Sequence, residues 1–512
     1  MRQHGSLGWS RRALVIVASL LLFGGRAAVA QGAPAARPRN VIFILSDDHR
    51  YDAMGFVPGA PDWLETPNLD RMAKQGAWLK NAFVTTSLCS PSRASILTGQ
   101  YAHRHGVVDN NIDVPPGTRY FPEFLQKAGY RTAFFGKWHM GRSSSEPRPG
   151  FDRWVSFQGQ GVYHDPVLNV DGHEVKEKGY ITKILTDYAL DWLKKEQTTE
   201  PDRPFFLYLS HKAVHAMFEP APRDSGRYSH EPVPYPKTMP IDAPGRDTWP
   251  EWVRQQRSSW HGVDYMYYGD LDFDTFYRRY AETVLGIDRS VGRVLDYLKQ
   301  TGLDRNTLVI YMGDNGFQFG EHGLIDKRTA FEASMRVPML AWAPGMIRPG
   351  TVIDDNVLNI DIMPTVLQLA GAHAPRGYVE DGRSFLPLLR GEKVADWRDE
   401  FLYEYYWEWN FPQTPTQYAL RTARYKYVYD YGVWDRDMLF DLQKDPDEAV
   451  NLIGDPAYRD LAARLRARLF AKIRETGGMH IPLREPKGGQ QGNRRPPGAP
   501  STDPLLRNGA GR

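Results

Sequence analysis

Four short apolar runs, each closing on ionisable residues, limit what this 512-residue chain can fold into. Val41-Ile42-Phe43-Ile44-Leu45 stops at Ser46-Asp47-Asp48. A weaker run over 130–135 leads into Gly136-Lys137-Trp138-His139. Residues 205–209 lead into Ser210-His211, and residues 308–312 into Gly313-Asp314-Asn315-Gly316. Apolar runs without polar alternation are what strands buried on both faces of a parallel sheet require. Helical patterns separate them. Ile181, Ile184, Leu185, Tyr188 and Trp192 recur at spacings of three or four, as do Val284, Ile287, Val291, Val294, Leu295 and Leu298. Gly302 supplies a stop for the second helix. Alternating strands and helices predict an α/β sandwich around a mainly parallel central sheet. Active residues of such sheets gather beyond the carboxyl ends of the strands.

The 41% apolar and 24% charged content fits a globular chain with a sizeable core, and excludes collagen-like, coiled-coil and wholly disordered classes. The net charge of +3 sits at the ends. Residues 1–30 hold Arg2, Arg11, Arg12 and Arg26 without an acid, and residues 484–512 hold six basic and two acidic residues. That leaves 31–483 near −5, so the charge does not point to a nucleic-acid partner. The single cysteine, Cys89, excludes a scaffold built on intramolecular disulfides.

The first 30 residues have the parts of a secretory signal: Arg11-Arg12, an apolar run over 13–23, and the small-x-small site Ala28-Val29-Ala30. The run is short for a membrane span, although an uncleaved anchor is the competing reading. Ser10-Arg11-Arg12 also permits a twin-arginine route. Export to the periplasm or beyond the cell is expected, with no stable membrane partner. A catalytic domain is expected over 38–395 and a smaller, antiparallel subdomain over 396–483, where Tyr425-Lys426-Tyr427-Val428-Tyr429 alternates like a half-exposed strand. A helix near 456–474 would close it. The polar, Gly- and Pro-rich segment 484–512 is expected to remain mobile.

The chemistry-bearing residues lie at the strand ends. Asp47, Asp48, Asp314 and Asn315 are hard oxygen donors suited to Ca²⁺ or Mg²⁺. Taken separately, Asp-Asp also serves as a loop cap and Asp-Asn-Gly as a turn. Cys89 opens Cys89-Ser90-Pro91-Ser92-Arg93, with Pro91 placed for the first turn of a helix. Residues 89 and 93 then approach one side of a helix start that favours an anion. A cysteine is ordinarily buried and inert; polar neighbours argue otherwise here. Lys137, His139, His211 and Lys327 gain meaning from converging on these groups.

This constellation resembles the formylglycine-dependent sulfatase family of the alkaline-phosphatase-like superfamily. Cys89-Ser90-Pro91-Ser92-Arg93, continuing through Ala94-Ser95-Ile96-Leu97-Thr98-Gly99, matches the Cys-x-Pro-x-Arg activation motif. Gly129-Tyr130-Arg131-Thr132 through Gly136-Lys137-Trp138-His139 matches a second signature, and the likeness runs over roughly 38–480. The resemblance implies that a separate maturation system oxidises Cys89 to formylglycine, whose hydrate is the nucleophile. It implies calcium held by Asp47, Asp48, Asp314 and Asn315, with the diol at position 89 as a further ligand. Arg93 would stabilise the diol, Lys137 would bridge diol and sulfate, and His211 and Lys327 would hold the sulfate and assist the leaving oxygen. His139 would take the proton that lets sulfate depart.

The segment Glu321-His322-Gly323-Leu324-Ile325-Asp326-Lys327-Arg328 and the later aromatic stretch resemble carbohydrate sulfatases, N-acetylglucosamine-6-sulfatase-like members among them. A sulfated carbohydrate is therefore the expected substrate, with His215, His322, Arg421, Trp407 and Trp409 as candidate contacts. A phosphate or phosphonate monoester hydrolase on the same scaffold is the enzymatic alternative, because tetrahedral phosphate suits the same cations. A nonenzymatic sulfated-glycan-binding protein is the other: aromatics over 403–410 can stack on sugars or fill a core.

Overall fold

The computed structural model of the protein describes residues 39–141, 144–432, 435–487, 489, 495, 496, 498 and 501–507. The expected signal segment lies outside the described residues. The strand Asn40–Ser46 is buried along its whole length. It pairs in parallel with Phe205–Ser210 on one side and Thr307–Gly313 on the other. Arg131–Lys137 and Arg153–Phe157 extend the parallel run beyond Phe205–Ser210. The whole sheet has ten strands, with antiparallel pairings towards both edges. All four expected strands form, and the mainly parallel sheet is present.

Side-chain alternation divides the core. Ile42 and Ile44 pack with Ile181, Leu185, Val284 and Val291, beneath the helices Ile181–Thr199 and Phe273–Thr301. Val41, Phe43 and Leu45 pack with Ile96, Leu97, Phe121 and Ile362, beneath Cys89–Thr98, Phe121–Lys127 and Ile362–Ala370. The long helix ends at Gly302 in the left-handed region, φ 73°. Helices therefore cover both faces, and the carboxyl ends of the parallel strands form one polar rim.

The smaller subdomain is a four-stranded antiparallel sheet in the order Glu400–Tyr405, Thr416–Thr422, Tyr425–Tyr431, Met438–Asp441. The helix Arg459–Thr476 covers it, burying Leu469 and Ile473 against Leu402, Leu420 and Val428. Described parts of the segment expected to be mobile make defined contacts. Asp503 is fully buried on the Arg257 guanidinium, and Thr502 Oγ1 donates to the Val263 carbonyl at 2.6 Å. Ion pairing and hydrogen bonding order these residues where apolar burial does not. Among the described residues, no helix is long and apolar enough to cross a membrane.

Candidate active site

The helix Cys89–Thr98 is buried at all ten positions, and its polar side chains are employed rather than exposed. Ser90 Oγ donates to the His139 carbonyl at 2.6 Å, and Asn359 Nδ2 donates to Ser92 Oγ at 2.9 Å. No side chain of the residue before the helix caps it. Instead Asn110 Oδ1 accepts the Ser90 N–H at 2.9 Å, satisfying one of the orphan amides of the first turn. The helix stops at Gly99, φ 65°, where a Cβ would meet Met363 Sδ at 2.9 Å. Cys89 thus faces the strand ends from a rigid mount.

Consecutive residues of an extended strand face opposite ways. Asp48 escapes that rule by taking a left-handed conformation, φ 56°. Asp47 meets the Cys89 thiol at 3.5 Å, and Asp48 consequently turns back to join Asp47 and Asp314. Carboxylate oxygens of Asp47, Asp48 and Asp314 lie within 4.8 Å of one another, and so do ligand atoms of Asp47, Cys89 and His215. Asp47, Asp48, Cys89, Asp314 and Asn315 are all fully buried. Glycine is required next door: at Gly136, φ 121°, a Cβ would sit 1.7 Å from the Ser210 carbonyl oxygen, so only glycine lets Lys137 reach this floor.

Three cations answer the three acids. Arg93 donates through Nε to Asp314 at 2.9 Å, through one terminal nitrogen to Asp47 at 3.2 Å, and through the other to the Lys137 carbonyl and Ser210 Oγ. Lys137 pairs with Asp47. Lys327 donates to both Asp48 oxygens, at 2.6 and 2.7 Å. Burial alone would raise the Asp47 carboxyl, but Lys137 and Arg93 outweigh it and hold it below the usual range. Burial wins at Asp48, which Lys327 only partly offsets, and its carboxyl is pushed up to about 7. Burial and the neighbouring Asp47 raise Asp314 as well. Burial, reinforced by Asp47, pushes the Cys89 thiol up to about 12, so the unmodified thiol stays protonated and is a poor nucleophile near neutrality.

The donor set fits a hard cation. The clustered acids offer oxygen only, as calcium prefers. Asn315 donates through Nδ2 to Asp48 and to the Gly316 carbonyl, leaving its buried Oδ1 without a hydrogen-bond partner. A buried amide oxygen without a partner is costly unless something accepts its lone pairs.

His211 is not part of this cluster. It continues the alternation of Phe205–Ser210, so Ser210 meets Arg93 while His211 turns to the opposite face. There its Nε2 lies 3.0 Å from Ser290 Oγ of the long helix. His215, expected only as a substrate contact, takes the place by Cys89, with Nε2 3.9 Å from Asp48 Oδ2. Its Nδ1 lies 2.5 Å from the Ala216 carbonyl, which can only accept, so Nδ1 carries the proton and Nε2 offers a lone pair. Burial, then Lys327 and Lys137, hold its pKa well below the ordinary histidine value and keep the ring neutral. His139, φ 60°, stands at the helix start with Nδ1 3.3 Å from Ser90 Oγ.

Two further candidates lie elsewhere. His322 is buried, stacked on Phe331 at 3.9 Å, with Nε2 3.0 Å from the Glu448 carbonyl. Arg421 packs over Phe83 and pairs with Glu332 at 3.4 Å, fastening the small sheet to the main body. Trp407 and Trp409 line an open cavity of 630 Å³ beside the small sheet. The sequence reading missed three residues. Lys212 stacks its ammonium on Tyr163 at 4.6 Å, and burial, then Lys137, lower its pKa to about 8. Asn110 and Glu408 brace the site through a backbone amide and a buried ion pair, contacts that no local motif announces.

Comparison with known proteins gives this arrangement a family context. Residues 39–372 match the family model described as Sulfatase, and residues 320–475 match N-sulphoglucosamine sulphohydrolase, C-terminal. The chain is 32% identical over 496 residues to N-acetylglucosamine-6-O-sulfatase of Bacteroides thetaiotaomicron, covering 85% of this chain and 86% of that relative. A solved structure in complex with its substrate D-glucosamine-2-N,6-O-disulfate matches with a TM-score of 0.78 at 31% identity, covering 88% of this chain and 100% of the other. Phosphonate monoester hydrolase from Silicibacter pomeroyi matches with a TM-score of 0.68 at 25% identity, covering 85% of this chain and 95% of the other.

Proposed function

The chain belongs to the sulfatase family, and from that membership we propose that it hydrolyses a sulfate ester of a carbohydrate at the Cys89 floor. The observation that carries this reading is the burial of one cysteine among three carboxylates and three cations, with a neutral histidine beside them. The 6-O-sulfated hexosamine named for two of the similar proteins supports a hexosamine sulfate as the substrate.

Calcium fits the oxygens of Asp47, Asp48, Asp314 and Asn315, where it would neutralise negative charge on the sulfuryl group. Formylglycine made from Cys89 would supply an oxygen nucleophile where the protonated thiol cannot. The chain's own groups do the rest. Arg93, fixed by four acceptors, is a preorganised positive charge beside position 89. Lys137 and Lys327 bind sulfuryl oxygens from the two sides of the acidic floor. His215, beside Cys89, assists the leaving alcohol oxygen, the role first expected of His211: its Nε2 lone pair takes up the proton of the attacking hydroxyl and returns it to that oxygen. His139, oriented by Ser90 at Nδ1, moves the second proton at Nε2.

Cys89 has no exposure once the chain is packed. That burial supports a formylglycine-generating partner acting on Cys89 before the helix is packed. The basic start, the apolar run over 13–23 and Ala28-Val29-Ala30 support export to the periplasm or beyond.

The test is a matured enzyme, with the Cys89 peptide weighed by mass spectrometry, offered positional isomers of sulfated mono- and oligosaccharides beside aryl sulfates and phosphonate esters. Sulfate release from an intact sugar is the expected result. Efficient turnover of phosphonates alone would hand the assignment to the chemistry of the Silicibacter pomeroyi relative, and full activity with unmodified Cys89 would end the formylglycine mechanism.

A further inference from the structure

The turn after Glu400–Tyr405 sorts its residues by face. Tyr403, Tyr405 and Tyr406 are buried, and Glu408 is fully buried. Trp407 and Trp409 on either side of it are 38% and 39% exposed. Their ring centroids lie 6.4 Å apart at 77°. Trp407 Nε1 donates to the Pro412 carbonyl at 3.2 Å, so its polar edge is satisfied within the wall. With Trp252, Tyr431, Asp109 and Arg484 the two rings line the 630 Å³ cavity. Aromatic rings of this size ordinarily bury most of their surface, and half-open faces beside hydrogen-bonding groups suit the C–H face and hydroxyls of a sugar. Both cations beside the cavity are paired, Arg484 with Asp109 and Lys487 with Asp113, while exposed Glu485 makes no ion pair among the described residues. Stacking and hydroxyl contacts, rather than a free positive charge, are the recognition chemistry on offer.

A chain of buried contacts links the lining of the cavity to the catalytic floor. Glu408 Oε2 accepts from Arg328 Nε at 2.6 Å, one residue from Lys327, and Oε1 accepts from the Asn110 amide at 3.4 Å. Asn110 in turn holds the amide of Ser90, next to Cys89. Asn111 Nδ2 donates to Asn410 Oδ1 at 2.7 Å. Residues 109–111 therefore border the cavity and the cysteine helix together. We propose that this cavity is a second sugar subsite, receiving a pyranose further along the same oligosaccharide whose sulfated residue lies at Cys89, stacked on Trp407 and Trp409. The inference rests on the carbohydrate reading above and makes an oligosaccharide, rather than a monosaccharide, the preferred substrate.

Two measurements test it. Protein with unmodified Cys89 is titrated with chitotriose and with a heparin-derived tetrasaccharide, following tryptophan fluorescence. At least one is expected to bind saturably, with affinity falling roughly tenfold or more in Trp407→Ala and Trp409→Ala, partly recovering in Trp409→Phe, and unchanged in Val352→Ala on the far edge of the large sheet. No binding, or binding indifferent to both tryptophans, overturns the subsite. In matured enzyme, kcat/KM for a sulfated oligosaccharide relative to the matching monosaccharide is expected to drop roughly tenfold in the same variants, through KM. An equal loss on both substrates overturns it. If the matured enzyme cleaves aryl sulfates but no carbohydrate sulfate, the proposed function fails, and the titration still decides the subsite independently.

Discussion

The floor at Cys89 and the cavity at Trp407 and Trp409 are joined through Asn110 and Glu408, yet they are built in opposite ways. The floor is drawn from strand ends and a helix of the large sheet, and its acids, its cysteine and Asn315 have no exposure. Each charge there is held by a partner, so moving one strands another in a medium that cannot solvate it. The cavity is made from the hairpin of the small sheet and the chain near Arg484, with aromatic faces half in solvent. Losing one ring there removes contact area and strands no charge. Reaction type and substrate choice thus rest on different physics, one intolerant of change and the other adjustable.

The comparison is sharpest at position 89. Cys89→Ala is expected to lower sulfate release at least about a thousandfold while circular dichroism stays that of the parent. Residual turnover near the parent rate would mean that the floor is not the seat of the chemistry. Calcium removal comes next. Activity should fall by roughly 10²- to 10³-fold and return when calcium is restored. The melting temperature should drop too, since an ion held at a hundredfold over its dissociation constant contributes about 2.7 kcal/mol. Rigorously metal-free protein with full activity and unaltered melting would break the assignment of the oxygen set.

The two histidines that follow the strand Phe205–Ser210 divide function from packing. His215→Ala should cost about 10²- to 10⁴-fold in kcat. His211→Ala should act on folding, at about 1–3 kcal/mol in denaturant titration, because its ring fills space against Ser290. Reversal of the two effects would restore the expectation made from sequence.

The most gradual effect concerns the small sheet. Asp430 Oδ2 accepts from Trp252 Nε1 at 2.7 Å, behind the cavity, and burial pushes its carboxyl up to about 7. Its folded pKa is raised, so the folded state binds a proton that the unfolded state has released between 3.8 and about 7. The contribution is complete below 3.8 and is lost as pH rises through about 7. The slope is at most ~1.4 kcal/mol per pH unit. Denaturant titrations across that range should show the decline, and Asp430→Asn should make it shallower without abolishing it, because Asp48 and Glu448 are raised to about 7 as well.

The large sheet was legible because its strands are buried on both faces, which writes them as unbroken apolar runs. The activation helix was legible because an oxidisable cysteine and an arginine four residues on must share one side. The histidine assignment went astray because His211 looked like a strand-end residue. It is one, and alternation therefore sends it to the wrong face, whereas His215 lies beyond the strand in a turn whose direction no periodicity encodes. Arg421 and His322 misled for a related reason: a charged or aromatic polar residue looks the same whether it meets substrate or a buried partner such as Glu332 or the Glu448 carbonyl. Asn110 and Glu408 had no signal, since their work depends on a contact between segments almost 300 residues apart. The aromatic stretch was read as either core or stacking surface: its tyrosines Tyr403, Tyr405 and Tyr406 are core, and its tryptophans face outward.

That division constrains how the protein can diverge. Glu408 sits between Trp407 and Trp409, holding Arg328 and the Asn110 amide while its neighbours face the cavity. A deletion or insertion of one residue here would carry a tryptophan into an ionic socket and leave Arg328 beside an indole. Descendants of this chain can therefore exchange the outward rings freely, gaining or losing glycans as they do so, but they inherit the reading frame of the turn unaltered. New substrate tastes should arise at positions 407 and 409 as point substitutions, with length variation displaced to the loops on either side.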